Sequence, residues 1–150
     1  MRIAFDLDDT LIPTTTEFSV GSRTLGFPAN LVFKEELRCG APELLIELAQ
    51  SHEIWIYTTS LRKESYLKVW FKLWGVKITS VVNQQEHKEA VKGNSVYSRF
   101  SKTPTLFGID LLVDDLPGVE IECNTQGCES LIICPNDENW TEKVLAKIKL

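Results

Sequence analysis

The sequence holds no CxxC pair: Cys39, Cys123, Cys128 and Cys134 are scattered, and the only histidines, His52 and His87, lie apart from them. A zinc-ligand pattern is therefore missing, and reduced structural thiols are the default. Also absent is any apolar run near the roughly 20 residues of a membrane span. The first hydrophobic stretch is broken by acids within a few positions, which the core of a signal peptide does not tolerate. A cytoplasmic protein without a membrane partner is the expectation. There is no excess of basic charge either. The formal net charge is −5 and the pI about 5.1, which argues against bulk binding to nucleic acid and points to small or locally held partners. No linker, low-complexity tract or internal repeat divides the chain. Its 150 residues, 43% hydrophobic and 25% charged, suit a single domain around one core.

What the chain does have is a recurrence of short apolar runs, at 3–7, 54–57, 78–82, 111–113 and 131–133. Runs of this length, rich in Ile and Val and without clean alternation, read as strands buried on both faces. Helix-like segments separate them. "PELLIELAQ" carries Leu44, Leu45 and Leu48 on one face behind an early proline. "SLRKESYLKVWFKLWG" offers Ser60 as an N-cap, Gly75 as a stop, and Leu67, Trp70, Phe71 and Trp74 at helical spacing. "NWTEKVLAKIKL" opens with Asn139 and Glu142 in a capping-box arrangement. Strand and helix in alternation predict an α/β fold, a parallel sheet wrapped on both faces in three layers. Residues 13–40 fit no period and predict an irregular insertion or hairpin leaving the first strand. That much loop at a strand end is uncommon unless it covers something.

In such a sheet, ligands bind beyond the carboxyl ends of the strands. "DLDDT" leaves the first predicted strand there with Asp6, Asp8 and Asp9, and alternation puts Asp6 and Asp8 on one side. Asp114 and Asp115 follow "DLLV" at another strand tip, with Glu120 shortly after. Solvated turn acids are one reading. Carboxylates from two strand ends facing one crevice are the other, a hard-oxygen site suited to Mg²⁺. A third strand ends in Thr58, Thr59 and Ser60, hydroxyls that either cap the next helix or hold a phosphate. Lys102 is either solvated or a fixed positive charge. Together these residues make a phosphoryl-transfer site, which works by positioning and charge stabilisation.

With these stretches in order along almost the whole chain, the sequence resembles the haloacid dehalogenase (HAD) superfamily of aspartate-nucleophile phosphatases. The resemblance implies a Rossmann-like, HAD-like domain over residues 1–150, Mg²⁺ as cofactor, and an aspartyl-phosphate intermediate. It implies that Asp6 is nucleophile and metal ligand, and that Asp8 is general acid and then base, with its backbone carbonyl also on the metal. Asp115 would bind the ion directly and Asp114 through its waters. Thr58 would bond the phosphoryl group and Lys102 would steady it, with Leu7, Thr10 and Thr59 beside them around the phosphate. Dehalogenase branches lack an acid at the position of Asp8, so its presence implies a phosphatase or phosphotransferase. Asp9, at the variable position of the motif, is structural.

"YTTSLRKESYLKVWFKLWG", "SKTPTLFGIDLLVDDLPG" and "NDENW" are similar to the 5′(3′)-deoxyribonucleotidase branch. That implies a small phosphorylated substrate, with a nucleoside 5′-monophosphate the leading choice. Residues 13–40 are too short for that branch's helical cap, and Leu116 stands where a basic residue often follows the last acids. A minimal cap instead resembles the capless and the carboxy-terminal-domain phosphatases, whose open sites take phosphoproteins or other large substrates, nucleic-acid ends among them. Capless enzymes also close their sites with a neighbouring subunit, which leaves a homodimer open. A silent binding or regulatory module is the alternative of another class, and the intact set of Asp6, Asp8, Thr58, Lys102 and Asp115 speaks against it.

Two groups of residues keep two readings each. Arg62, Lys63, Lys68, Lys72 and Lys77 form either a solvated helix face or a funnel for an anionic substrate. Phe18, Val20, Leu25, Phe27, Leu31 and Phe33 either line a lid or pack. Trp55, Trp70 and Trp74 are expected in the core, Cys123 and Cys128 at a turn, and neither histidine in catalysis.

Overall fold

The computed structural model describes residues 1–149. Five strands run parallel: β1 (Arg2–Phe5), β2 (Glu53–Tyr57), β3 (Ser80–Val82), β4 (Leu111–Asp114) and β5 (Glu129–Ile132), in spatial order β3-β2-β1-β4-β5. The helices are α1 (Ala41–Leu48), α2 (Glu64–Leu73), α3 (Gln84–Val91), α4 (Pro117–Gln126) and α5 (Trp140–Ile148). The fold is α/β and three-layered, as the alternation predicts.

Successive residues of β1 serve different layers. Ile3 and Phe5 join a core with α1, α2 and α5, including Leu45, Trp70, Phe71 and Trp140. Ala4 faces a smaller core with Tyr57, Leu112 and two α4 residues, Val119 and Cys123. Apolar on both faces, the strand has no polar edge to show until Asp6. Trp55 is half-buried, and Trp70, Trp74 and Trp140 are buried, as core residues.

The order reverses at the centre. From β1 the chain moves outward through β2 to β3, then returns to β4 on the other side, which opens a crevice at the strands' carboxyl ends between β1 and β4. β1 and β4 pair in register from Ile3 with Leu111 to Phe5 with Val113, and the Asp6 N–H donates to the Val113 carbonyl. The two acid-bearing tips are therefore adjacent.

Several local expectations change. Helix α2 starts at Glu64, so Ser60 does not cap it; the Ser60 hydroxyl accepts the Arg62 N–H instead. Asn139 sits at the N-cap position of α5 without a capping bond from its side chain. Gly75 does follow the end of α2 at φ 85°, where a side chain would be strained. Cys128 borders the turn between α4 and β5 as expected, whereas Cys123 lies inside α4 with its side chain in the core.

Residues 13–40 contain one short 3-10 turn, Ala29–Leu31, and an antiparallel bridge between Val20 and Arg38 that closes their base. The segment's apolar side chains divide. Leu25 and Phe33 pack on the main core, while Phe27 and Leu31 are exposed. No helix among the described residues is long and apolar enough to cross a membrane.

Candidate active site

Asp6 follows the last residue of β1, and Asp114 ends β4 beside it. Both are buried, and the Lys102 ammonium lies between them at 2.5 Å from Asp6 Oδ1 and 2.5 Å from Asp114 Oδ2. Asp115 completes the group: oxygens of Asp6, Asp114 and Asp115 all lie within 4.8 Å of one another. Thr10 Oγ1 stands 3.2 Å from Asp115 Oδ1 and 3.4 Å from Asp6 Oδ2. It is thus spent within the acid cluster.

Lys102 holds its place because its backbone is pinned on both sides. The Thr103 N–H donates to the Tyr57 hydroxyl, Gln126 Nε2 donates to the Lys102 carbonyl, and Glu122 accepts the N–H groups of Ser101 and Lys102. The Tyr57 hydroxyl in turn lies 2.7 Å from His87 Nδ1, linking β2 to α3. Nothing in the sequence around Glu122, Gln126 or His87 marks them for this task, since each acts across a long gap in the chain.

The electrostatics follow from burial. Asp6 is pushed from the ordinary 3.8 up to about 7, by loss of water first, with Asp114 and Asp115 adding to the rise and Lys102 opposing it. Burial and the Asp114 charge also raise Asp115. Burial alone would depress the Lys102 ammonium; Asp6 and Asp114 outweigh it and hold the group above its usual value.

Asp8 lies outside this cluster. Its Oδ1 and Oδ2 accept from Arg62 Nη1 at 3.0 and 3.1 Å, and Thr58 Oγ1 is 3.4 Å from Oδ2. Arg62 Nη2 donates to Glu35 Oε1 of the 13–40 segment at 2.5 Å. Of the basic residues after Thr58, Arg62 turns inward, whereas Lys63, Lys72 and Lys77 are exposed and Lys68 pairs with Glu64 on α2. Glu120 is exposed in the first turn of α4.

The remaining motif residues divide by where their side chains go. The Leu7 side chain is in the core, so only its backbone faces the strand end. Thr59 is exposed and, with Thr58, lines a cavity of about 290 Å³ that also touches His87 and Phe100. Asp9 adopts φ 61° and turns away from the cluster. Burial works against its charge, but the Thr15 hydroxyl and the N–H groups of Thr14, Thr15 and Thr16 hold the carboxyl well below its usual range. Its role is to fold the "TTT" turn.

No family model and no curated protein matches this chain. The chemistry of the site therefore rests on the residues themselves.

Proposed function

We propose that the chain is an Mg²⁺-dependent phosphomonoester hydrolase of the haloacid dehalogenase type, working through an aspartyl-phosphate on Asp6. The observation that supports this best is the charge group at the strand ends: three carboxylates, two buried and one half-buried, with oxygens within 4.8 Å of one another and a single ammonium against them. Excess negative charge away from water calls for a cation or a proton. The all-oxygen donor set fits a hard dication, which the side chains of Asp6, Asp114 and Asp115 and the Asp8 carbonyl would hold. Bound there, Mg²⁺ supplies the positive charge that offsets repulsion between the Asp6 carboxylate and an incoming phosphate.

The chain's own residues do the rest. An Asp6 oxygen, aimed by Lys102, attacks phosphorus in line as the ester P–O bond breaks, and the departing oxygen takes a proton from Asp8. A water then gives its proton to Asp8 and attacks the phosphorus of the aspartyl-phosphate, returning Asp6 as a carboxylate and releasing phosphate. Thr58 and Lys102 contribute donors to the phosphoryl oxygens.

The motif likeness favours a nucleoside 5′-monophosphate as the small phosphorylated substrate, in a cytoplasmic enzyme. The open-site reading, with phosphoprotein or nucleic-acid ends as substrate, draws on one observation. The 13–40 segment builds no helix beyond a three-residue turn, and the Asp8 side chain stays 32% exposed.

The test is Mg²⁺-dependent phosphate release from nucleoside monophosphates, sugar phosphates and a phosphopeptide, with Asp6→Asn alongside. Release that vanishes with chelator and in the variant supports the hydrolase. Preference for the phosphopeptide selects the open-site reading, and no release from any substrate sinks both in favour of a silent binding module.

A further inference from the structure

The 13–40 segment reaches the Asp8 side of the site through Glu35, whose partner Arg62 holds the Asp8 carboxylate. Without Arg62 the Asp8 carboxylate would have only the 3.4 Å approach of Thr58 Oγ1 to direct it. An acid that must meet a leaving oxygen needs its direction fixed, because misplacement by a fraction of an ångström costs rate. Arg62 supplies that direction, since one nitrogen spans both Asp8 oxygens. Arg62 is itself well placed to do so. Its N–H donates to Ser60 Oγ and its carbonyl accepts from Asn83 Nδ2, which fixes the backbone from two sides.

The outer end of the guanidinium needs a second anchor, and Glu35 is that anchor. Its Oε1 takes Arg62 Nη2, while its Oε2 is buried with no hydrogen-bond partner. A carboxylate oxygen left in this state opposes folding. The Glu35–Arg62 pair thus ties the segment to the guanidinium with one oxygen and leaves the other unused, so its main consequence is where the guanidinium points. Resting on the hydrolase reading above, we propose that Arg62 is the positioning residue for Asp8, and that the 13–40 segment takes part in turnover by holding Arg62 through Glu35.

The experiment uses the full chain with Mg²⁺ and p-nitrophenyl phosphate, comparing Arg62→Ala, Arg62→Lys, Glu35→Gln and the Glu35→Gln/Arg62→Ala double variant. Expected is a fall in kcat of about tenfold or more for Arg62→Ala with KM nearly unchanged, partial recovery in Arg62→Lys, and a smaller fall for Glu35→Gln. The double variant should be no slower than Arg62→Ala alone, because Glu35 acts only through Arg62. Unchanged kcat, or a rise in KM alone, overturns the proposal, the latter by making Arg62 a substrate ligand.

Amide hydrogen exchange across 13–40 supplies a readout that needs no activity. Glu35→Gln and Arg62→Ala should loosen that segment equally, and unaltered protection in both overturns the anchor. If the wild-type chain releases no phosphate from any ester, the hydrolase reading fails, and the exchange data still decide whether Glu35 holds Arg62.

Discussion

Asp6 shows what it takes to hold a carboxyl where little water reaches it. Loss of water, with two neighbouring acids, raises its carboxyl from 3.8 to about 7. The folded chain therefore binds this proton more tightly than the unfolded chain does. Its contribution to stability is complete below about pH 4 and is lost as pH climbs through about 7. Asparagine keeps the shape and discards the charge. In metal-free protein at pH 8, Asp6→Asn should melt about 5 °C or more above wild type, with the gap narrowing toward pH 4 and phosphate release falling to background. Melting curves across that pH range would refute this if wild type were the more stable form at pH 8. The acids at positions 6, 114 and 115 were legible in the sequence because each sits where an apolar run stops. Thr10, placed beside the phosphate by the resemblance, turns its hydroxyl to Asp115 and Asp6 instead, a contact that nothing in its neighbourhood announces. Nor was the pairing of Asp8 with Arg62 legible, since it depends on how the segment before α2 folds back.

At the scale of elements, helices α1 and α2 could be read from the sequence because each has a broad apolar face and a proline or glycine marking one end. By contrast, α3 and α4 each bury only two side chains, His87 with Val91 and Val119 with Cys123. Two buried residues four apart leave almost no periodic signal. Residues 13–40 carry even less, yet Arg38 near their end is a firm structural tie. Its guanidinium lies between the rings of Phe18 and Trp140, 4.8 and 5.0 Å from their centroids. It donates to the carbonyls of Thr10, Cys134, Pro135 and Asp137, joining the insertion's base to the β5–α5 connection. Three of those partners lie 96 to 99 positions along the chain, beyond any local pattern. Arg38→Leu removes the donors and leaves the buried Thr10 carbonyl and three partly buried ones without this partner, so it should cost about 2 kcal/mol in urea unfolding. A loss below about 1 kcal/mol, the size of an ordinary surface change, would mean that the connection is held by other contacts.

Across the whole molecule, one feature of the topology makes the site: β1 and β4, far apart in sequence, are neighbours in the sheet. The apolar runs announced five strands and the acids announced the ends of two of them, but only the strand order brings Asp6 against Asp114. With a net charge of −5 and three acids facing one lysine, the fold holds excess negative charge in a fixed place. A dication that binds this folded arrangement and not the unfolded chain must stabilise it by mass action, by about 2.7 kcal/mol when its free concentration is a hundred times its dissociation constant. Millimolar Mg²⁺ should therefore raise Tm in a saturable way, most strongly above pH 7, where Asp6 is ionised. Asp115→Asn should shift that curve to higher Mg²⁺, because it removes an oxygen donor's charge while leaving the Lys102 bridge in place. Na⁺ at matched ionic strength controls for screening, which acts on all charges alike. A Tm that responds equally to both salts, or one that Asp115→Asn leaves with the same Mg²⁺ dependence, would remove the metal from this site and with it the proposed route to hydrolysis.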